Sequence, residues 1–146
     1  MSEADRTTGA GEAPEPRPFS YTILRVVPSI ERGECVNVGV ALFCRQYRFL
    51  GTRVALDERR IQALAPDFDV TALRPHLEAI EAILAGDPRA GPLAELEPSE
   101  RFGWVAARSS TVIQASEVHT GITADPAATL QRLFEHLVAA PAPGPA

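Results

Sequence analysis

Two polar stretches of this 146-residue chain carry most of the side chains with usable chemistry. The first holds Glu31, Arg32, Glu34 and Asn37, a charged turn that feeds an apolar segment. Glu31, Arg32 and Glu34 could face a ligand there, with Asn37 lying inside a sheet beneath them. Read without a ligand, the same residues make a solvated hairpin turn in which Asn37 satisfies backbone groups, and turns favour such residues on their own account. The second stretch, residues 108–121, holds Arg108, Ser110, Gln114, His119 and Thr120. Arg108 beside hydroxyls suits a phosphate or carboxylate, which a guanidinium grips through paired hydrogen bonds. His119 is a candidate general acid or base, because an ordinary imidazole titrates at about pH 6.5. No carboxylate or nucleophile is fixed beside it by spacing, so the plainer reading is a polar edge strand with a hydrogen-bonded histidine. Arg25 and Arg101 join Arg32, Arg108, Ser110 and His119 as a set that would line one pocket if the fold made them converge.

Other chemistries are excluded by residue type. All 14 basic residues are arginine, so a phosphate-loop lysine, a Schiff base and a serine–lysine dyad are absent. The glycine-rich dinucleotide fingerprint, the G-x-S-x-G elbow and H-E-x-x-H do not occur. Cys35 and Cys44 stand with His76, His119 and His136 scattered singly, which is no zinc spacing, and neither metal nor cofactor is expected. Nine positions apart on one strand, the two thiols would sit about 30 Å apart, too far to bridge. Buried, reduced thiols of the cytoplasm are the expectation. Nothing places a base beside Cys35, so it is a weak nucleophile candidate.

Charge and hydropathy limit the partners. Of the formal net charge of −5, the first 18 residues supply −2 (Glu3, Asp5, Glu12 and Glu15 against Arg6 and Arg17), leaving −3 for the rest. That balance lacks the basic excess of a general nucleic-acid binder. Arg45, Arg48, Arg53, Arg59 and Arg60 form the densest basic stretch, read as solvated surface. The longest apolar run, residues 38–44, is far below the ~18 residues of a membrane helix. Oligomeric state is not legible.

The elements that must position these residues follow from periodicity. Residues 1–18 and 140–146, rich in Gly, Ala and Pro, read as disordered tails around a single domain at 19–139. Residues 19–27, 35–44 and 48–56 read as three strands joined by short turns. In the second, Val36, Val38, Val40, Leu42 and Cys44 form a period-two apolar face against small residues such as Gly39 and Ala41. Asp57 N-caps a short helix holding Ile61. Val70, Leu73, Leu77, Ile80 and Leu84 form one helix stripe, with Pro75 marking a kink or a separate first turn and Gly86 its end. Ser99 caps a short helix anchored in the core by Phe102 and Trp104. Residues 111–116 and 118–122 are two strand-like pieces, and Asp125-Pro126 opens a last helix. The fold class is α+β: an antiparallel β-meander of three to five strands with three to four helices packed mainly on one face.

Tyr21 to Pro28, Glu31-Arg32-Gly33-Glu34 and Val36-Asn37-Val38-Gly39-Val40 resemble the bacterial family catalogued as domain of unknown function 3037. Arg101-Phe102-Gly103-Trp104, Ser110 to Gln114 and Val118-His119-Thr120-Gly121 look like its later blocks, so the likeness covers about residues 19–138. The resemblance implies a single-domain cytoplasmic protein with no established activity, and an accessory or partner role beside a HipA-like kinase in a toxin–antitoxin-like system. Two readings follow: a non-enzymatic partner protein, or a small enzyme or binding domain for a phosphorylated or nucleotide-like ligand.

Overall fold

In the computed structural model, which describes residues 14–107 and 112–139, the β-branched and aromatic run near the start forms β1 (Arg17–Val26). Arg17 and Pro18 therefore belong to the sheet and not to the expected tail; residues 1–13 and 140–146 of the two tails lie outside the described residues. β2 (Val36–Cys44) and β3 (Phe49–Val54) follow as antiparallel neighbours, the expected meander. β4 (Ile113–Ala115) and β5 (His119–Thr123) then return, end to end, to the other edge of β1. The sheet has five strands in the order β3-β2-β1-β4, with β5 beside β4 on β1.

The period-two reading of β2 fails at one residue, for a specific reason. β1 pairs Leu24 with Gly39 but Arg25 with Asn37, so Val38 is an extra residue, a β-bulge. A bulge reverses which face the following side chains take. Val36 and Val38 consequently join one core with Leu24, Val26 and Ala41, while Val40, Leu42 and Cys44 join another with Phe19. The close approach allowed by Gly39 comes from the neighbouring strand: a Cβ there would lie 2.8 Å from Val54 Cγ1 and 3.1 Å from the Arg53 carbonyl oxygen.

Local signals set the helices. α1 (Glu58–Leu64) starts at Asp57, whose carboxylate accepts from Arg60 N–H at 3.3 Å. A 3-10 turn at Val70–Ala72 precedes α2 (Leu73–Ala85), which places Pro75 in the first turn of α2, where no N–H is required. The 87–98 loop contains a 3-10 segment, Pro88–Glu95. α3 (Pro98–Ala106) begins one residue before Ser99, so Glu97 and not Ser99 is its N-cap, and that start is closed by the Glu100 carboxylate accepting from Glu97 N–H at 3.1 Å. The Asp125 carboxylate caps α4 (Pro126–Leu137) by accepting from Ala128 N–H at 3.1 Å.

Ile61, Leu73, Leu77, Ile80, Leu84, Phe102 and Val105 of α1, α2 and α3 cover one sheet face with the larger core. The mainly one-sided packing follows from them; among the described helices α4 alone lies across the other face, chiefly on β2 and β3. Phe102 stacks on Phe43, with ring centroids 6.0 Å apart, but Trp104 is 55% exposed and anchors nothing. At 100° per residue, position 104 points away from the 102/105 face. Cys44 is buried as expected; Cys35 precedes β2 and is exposed, because it falls before pairing begins. Both thiols are free. No helix among the described residues is long and apolar enough to cross a membrane.

Candidate functional site

Strand register carries the two polar stretches toward each other. Arg25 on β1 pairs with Asn37 on β2 and, on its other side, with Gln114 on β4. Directly paired residues share a sheet face, so Asn37, Arg25 and Gln114 form one cross-strand row about 10 Å wide. It lies on the α4 face, since Leu24 and Val26, the neighbours of Arg25, belong to the core beneath α1–α3. Four residues back along β1, about 13 Å away, Tyr21 pairs with His119 on the same face. Their rings stack at 5.1 Å between centroids and 27° between planes, and Phe19 continues the stack at 6.1 Å from Tyr21. Gly121 is what admits the Phe19 ring, because a Cβ there would lie 2.7 Å from Phe19 Cζ.

Ser116 aligns these two groups. It sits between β4 and β5, where the strand breaks, and is 5% exposed. Its hydroxyl accepts from Ile23 N–H at 2.9 Å and donates to the Glu117 carbonyl at 2.8 Å, while Thr22 Oγ1 donates to the Ser116 carbonyl at 2.8 Å. Ser116 N–H donates to the Ile23 carbonyl at 2.8 Å, and the hydroxyl takes the place of the carbonyl that would complete the backbone pair, which lets Gln114 and His119 share a face although five positions apart. Neither Ser116 nor Tyr21 stood out as functional in the sequence. The only available signal was the alternation of Phe19, Tyr21, Ile23 and Arg25 along β1.

The remaining sequence candidates have other occupations. Asn37 Nδ2 donates to the Leu137 carbonyl at 2.9 Å and so closes the end of α4, as the ligand-free reading expects. Glu31, Arg32 and Glu34 are exposed in the β1–β2 loop. Arg32 Nε donates to Glu34 Oε1 at 2.8 Å; this hydrogen bond, with the attraction between the charges, holds the Glu34 carboxyl below its usual range and raises Arg32. Arg101 is half-buried on the opposite side of the sheet, where it donates to the carbonyls of Ile83, Leu84 and Leu96 at 3.3, 2.8 and 3.1 Å. It closes the end of α2 and does not join Arg25. Thr120 pairs with Ser20 and faces away from His119, beside a concavity of about 320 Å³ lined by Pro18, Phe43 and Arg45. Arg108 and Ser110 lie outside the described residues.

His119 is 39% exposed, and its Nε2 stands 3.6 Å from Glu117 Oε1. Chemically, the face offers an aromatic pair, an imidazole, an amide and a guanidinium on a rigid support. A groove of about 730 Å³ between α2 and the Pro88–Glu95 segment, lined by Glu78, Ile83 and Asp87, contains none of the candidates. The same holds for an apolar pocket of about 450 Å³ lined by Phe68, Leu73, His76, Val112 and Ile113. Among the described residues no group of three or more His, Cys, Asp or Glu is placed to hold a metal ion.

Compared with known families, residues 21–138 match the family model described as protein of unknown function, DUF3037. The chain belongs to this family. No curated protein and no solved structure matches it. In this DUF3037 member, Arg25, Asn37, Gln114 and His119 are the sequence candidates that strand pairing brings to one sheet face.

Proposed function

We propose that this protein is a non-enzymatic accessory protein of the bacterial cytoplasm, and that it docks a partner protein on the strip of sheet formed by β1, β4 and β5. The observation that carries the reading is uneven coverage: α4 packs chiefly on β2 and β3, leaving Tyr21, Arg25, Gln114 and His119 half-buried on the same face. Tyr and Arg are the residue types that supply most of the energy in protein interfaces, and here strand pairing holds them in place. The partner we infer is a HipA-like kinase, from the family resemblance. Tagged full-length protein is expected to co-purify with a HipA-like kinase and to show no turnover alone. His119→Ala should weaken capture at least about tenfold, the loss of a mid-sized contact. Purification without the kinase, or capture unchanged by His119→Ala, would count against the proposal. One observation favours the alternative of a phosphorylated or nucleotide-like ligand: the guanidinium of Arg25 has no partner among the described residues.

A further inference from the structure

Among the described residues the half-buried arginines fall into two groups. Arg60 donates to the Val138 carbonyl at 3.0 Å, and Arg101 donates to three carbonyls. The side chain of Arg25, on the central strand β1, makes no hydrogen bond or ion pair among the described residues, and its Nε is shut off from solvent without an acceptor. A guanidinium stays charged at every physiological pH, so this donor cannot shed its cost by losing a proton. Leaving a charged donor partly desolvated and unpaired is among the more costly arrangements in a protein.

Nothing in the row supplies the missing acceptor. Asn37 on one side is engaged with the Leu137 carbonyl, and the Gln114 side-chain amide on the other makes no hydrogen bond among the described residues. The nearest acidic residues along the chain, Glu31 and Glu34, lie in the exposed loop, where Glu34 is held by Arg32. The negative end of α4 approaches through Asn37 and favours a cation there, but it gives Arg25 no bond. A guanidinium whose terminal nitrogens reach the surface while Nε lies beneath it, flanked by an amide that is unbonded among the described residues, suits a planar or tetrahedral oxyanion received through N–H donors.

We propose that Arg25, assisted by Gln114, is an oxyanion-binding site that takes a carboxylate or phosphate group at the edge of the partner protein docked on the β1–β4–β5 strip. The inference rests on that strip being the binding face and names the chemistry its occupant presents. The group comes either from a carboxylate side chain of the partner or from a phosphate.

The test is an NMR titration of the full-length protein that follows the Arg25 Nε–H and Gln114 side-chain amide signals. The probes are inorganic phosphate and, separately, N-acetyl-aspartate amide, with sodium chloride at matched ionic strength as control. Both signals are expected to move together and to saturate. Response to both probes identifies a carboxylate as sufficient, and response to phosphate alone identifies a phosphoryl group; either supports the site. Arg25→Lys keeps the charge without the fork and should weaken the response at least tenfold. Arg25→Met should abolish it while leaving the protein folded, since the native Nε bonds to nothing. Movement no greater than with chloride, or a response kept by Arg25→Met, would overturn the proposal. A kinase that Arg25→Met still captures but His119→Ala does not leaves partner docking intact and removes only the oxyanion contact.

Discussion

Replacing Ser116 by alanine tests whether one hydroxyl joins β4 to β5. The side chain is buried, and Ile23, whose N–H it accepts at 2.9 Å, is only 7% exposed. Alanine fits the space but leaves that N–H without an acceptor and without water. The penalty for such an orphaned donor is about 1–3 kcal/mol. The Glu117 carbonyl, which loses its 2.8 Å bond, belongs to an exposed residue and recovers by hydration. The Thr22 hydroxyl keeps its acceptor, because that acceptor is the Ser116 backbone carbonyl. The net expectation is a loss of about 2 kcal/mol, which in a domain of this size lowers the melting temperature by about 4–8 °C. Urea denaturation should show the midpoint falling at unchanged slope, and hydrogen exchange should show the Ile23 amide losing protection beyond the global change. Ser116→Thr keeps the hydroxyl and should restore most of both. A Ser116→Ala protein within 0.5 kcal/mol of the parent, with Ile23 still protected, would refute the reasoning.

Gly39→Ala should destabilise by about 1–3 kcal/mol in urea, because the new methyl meets Val54 Cγ1 at 2.8 Å and the Arg53 carbonyl at 3.1 Å inside the sheet. Asn37→Ala should cost about 1 kcal/mol and increase hydrogen exchange in the last turn of α4, because the Leu137 carbonyl loses its side-chain donor. Asp87 should titrate below the ordinary aspartate range, chiefly through its side-chain hydrogen bond with Arg89 and next through the Arg89 backbone N–H. Because the folded-state value is depressed, its small stabilising effect is present above the ordinary aspartate pKa and fades as pH falls through the folded one. Carboxyl-carbon NMR should show the midpoint rising toward the ordinary value in Arg89→Gln.

What could be read in advance was local. Asp57 and the Asp125-Pro126 pair start their helices because a capping carboxylate needs only the next three residues to do its work. The stripe from Val70 to Leu84 is buried as its spacing demands, with Pro75 in the first turn, where it costs no hydrogen bond. The meander is legible for the same reason: short turns leave consecutive strands no other neighbours. The failures share a different cause. The alternation in β2 misleads after Val38, because a bulge is a property of two strands pairing and leaves no mark on the repeat. Arg101 looked like a ligand contact, yet it spends its donors on carbonyls at the end of α2, a destination set by how α2 and α3 pack. Trp104 was expected inside, but Phe102 and Val105 had already defined the inward side of α3.

The sequence by itself determined the element types, the capping residues, the α+β class and the removal of all lysine chemistry, since each depends on residue identity and near neighbours. Only the tertiary structure decided that Asn37, Arg25 and Gln114 form one row and that Tyr21 carries His119. Those neighbours are made by strand register across a bulge and a hydroxyl bridge, and register couples residues far apart in the chain that no short-range pattern connects.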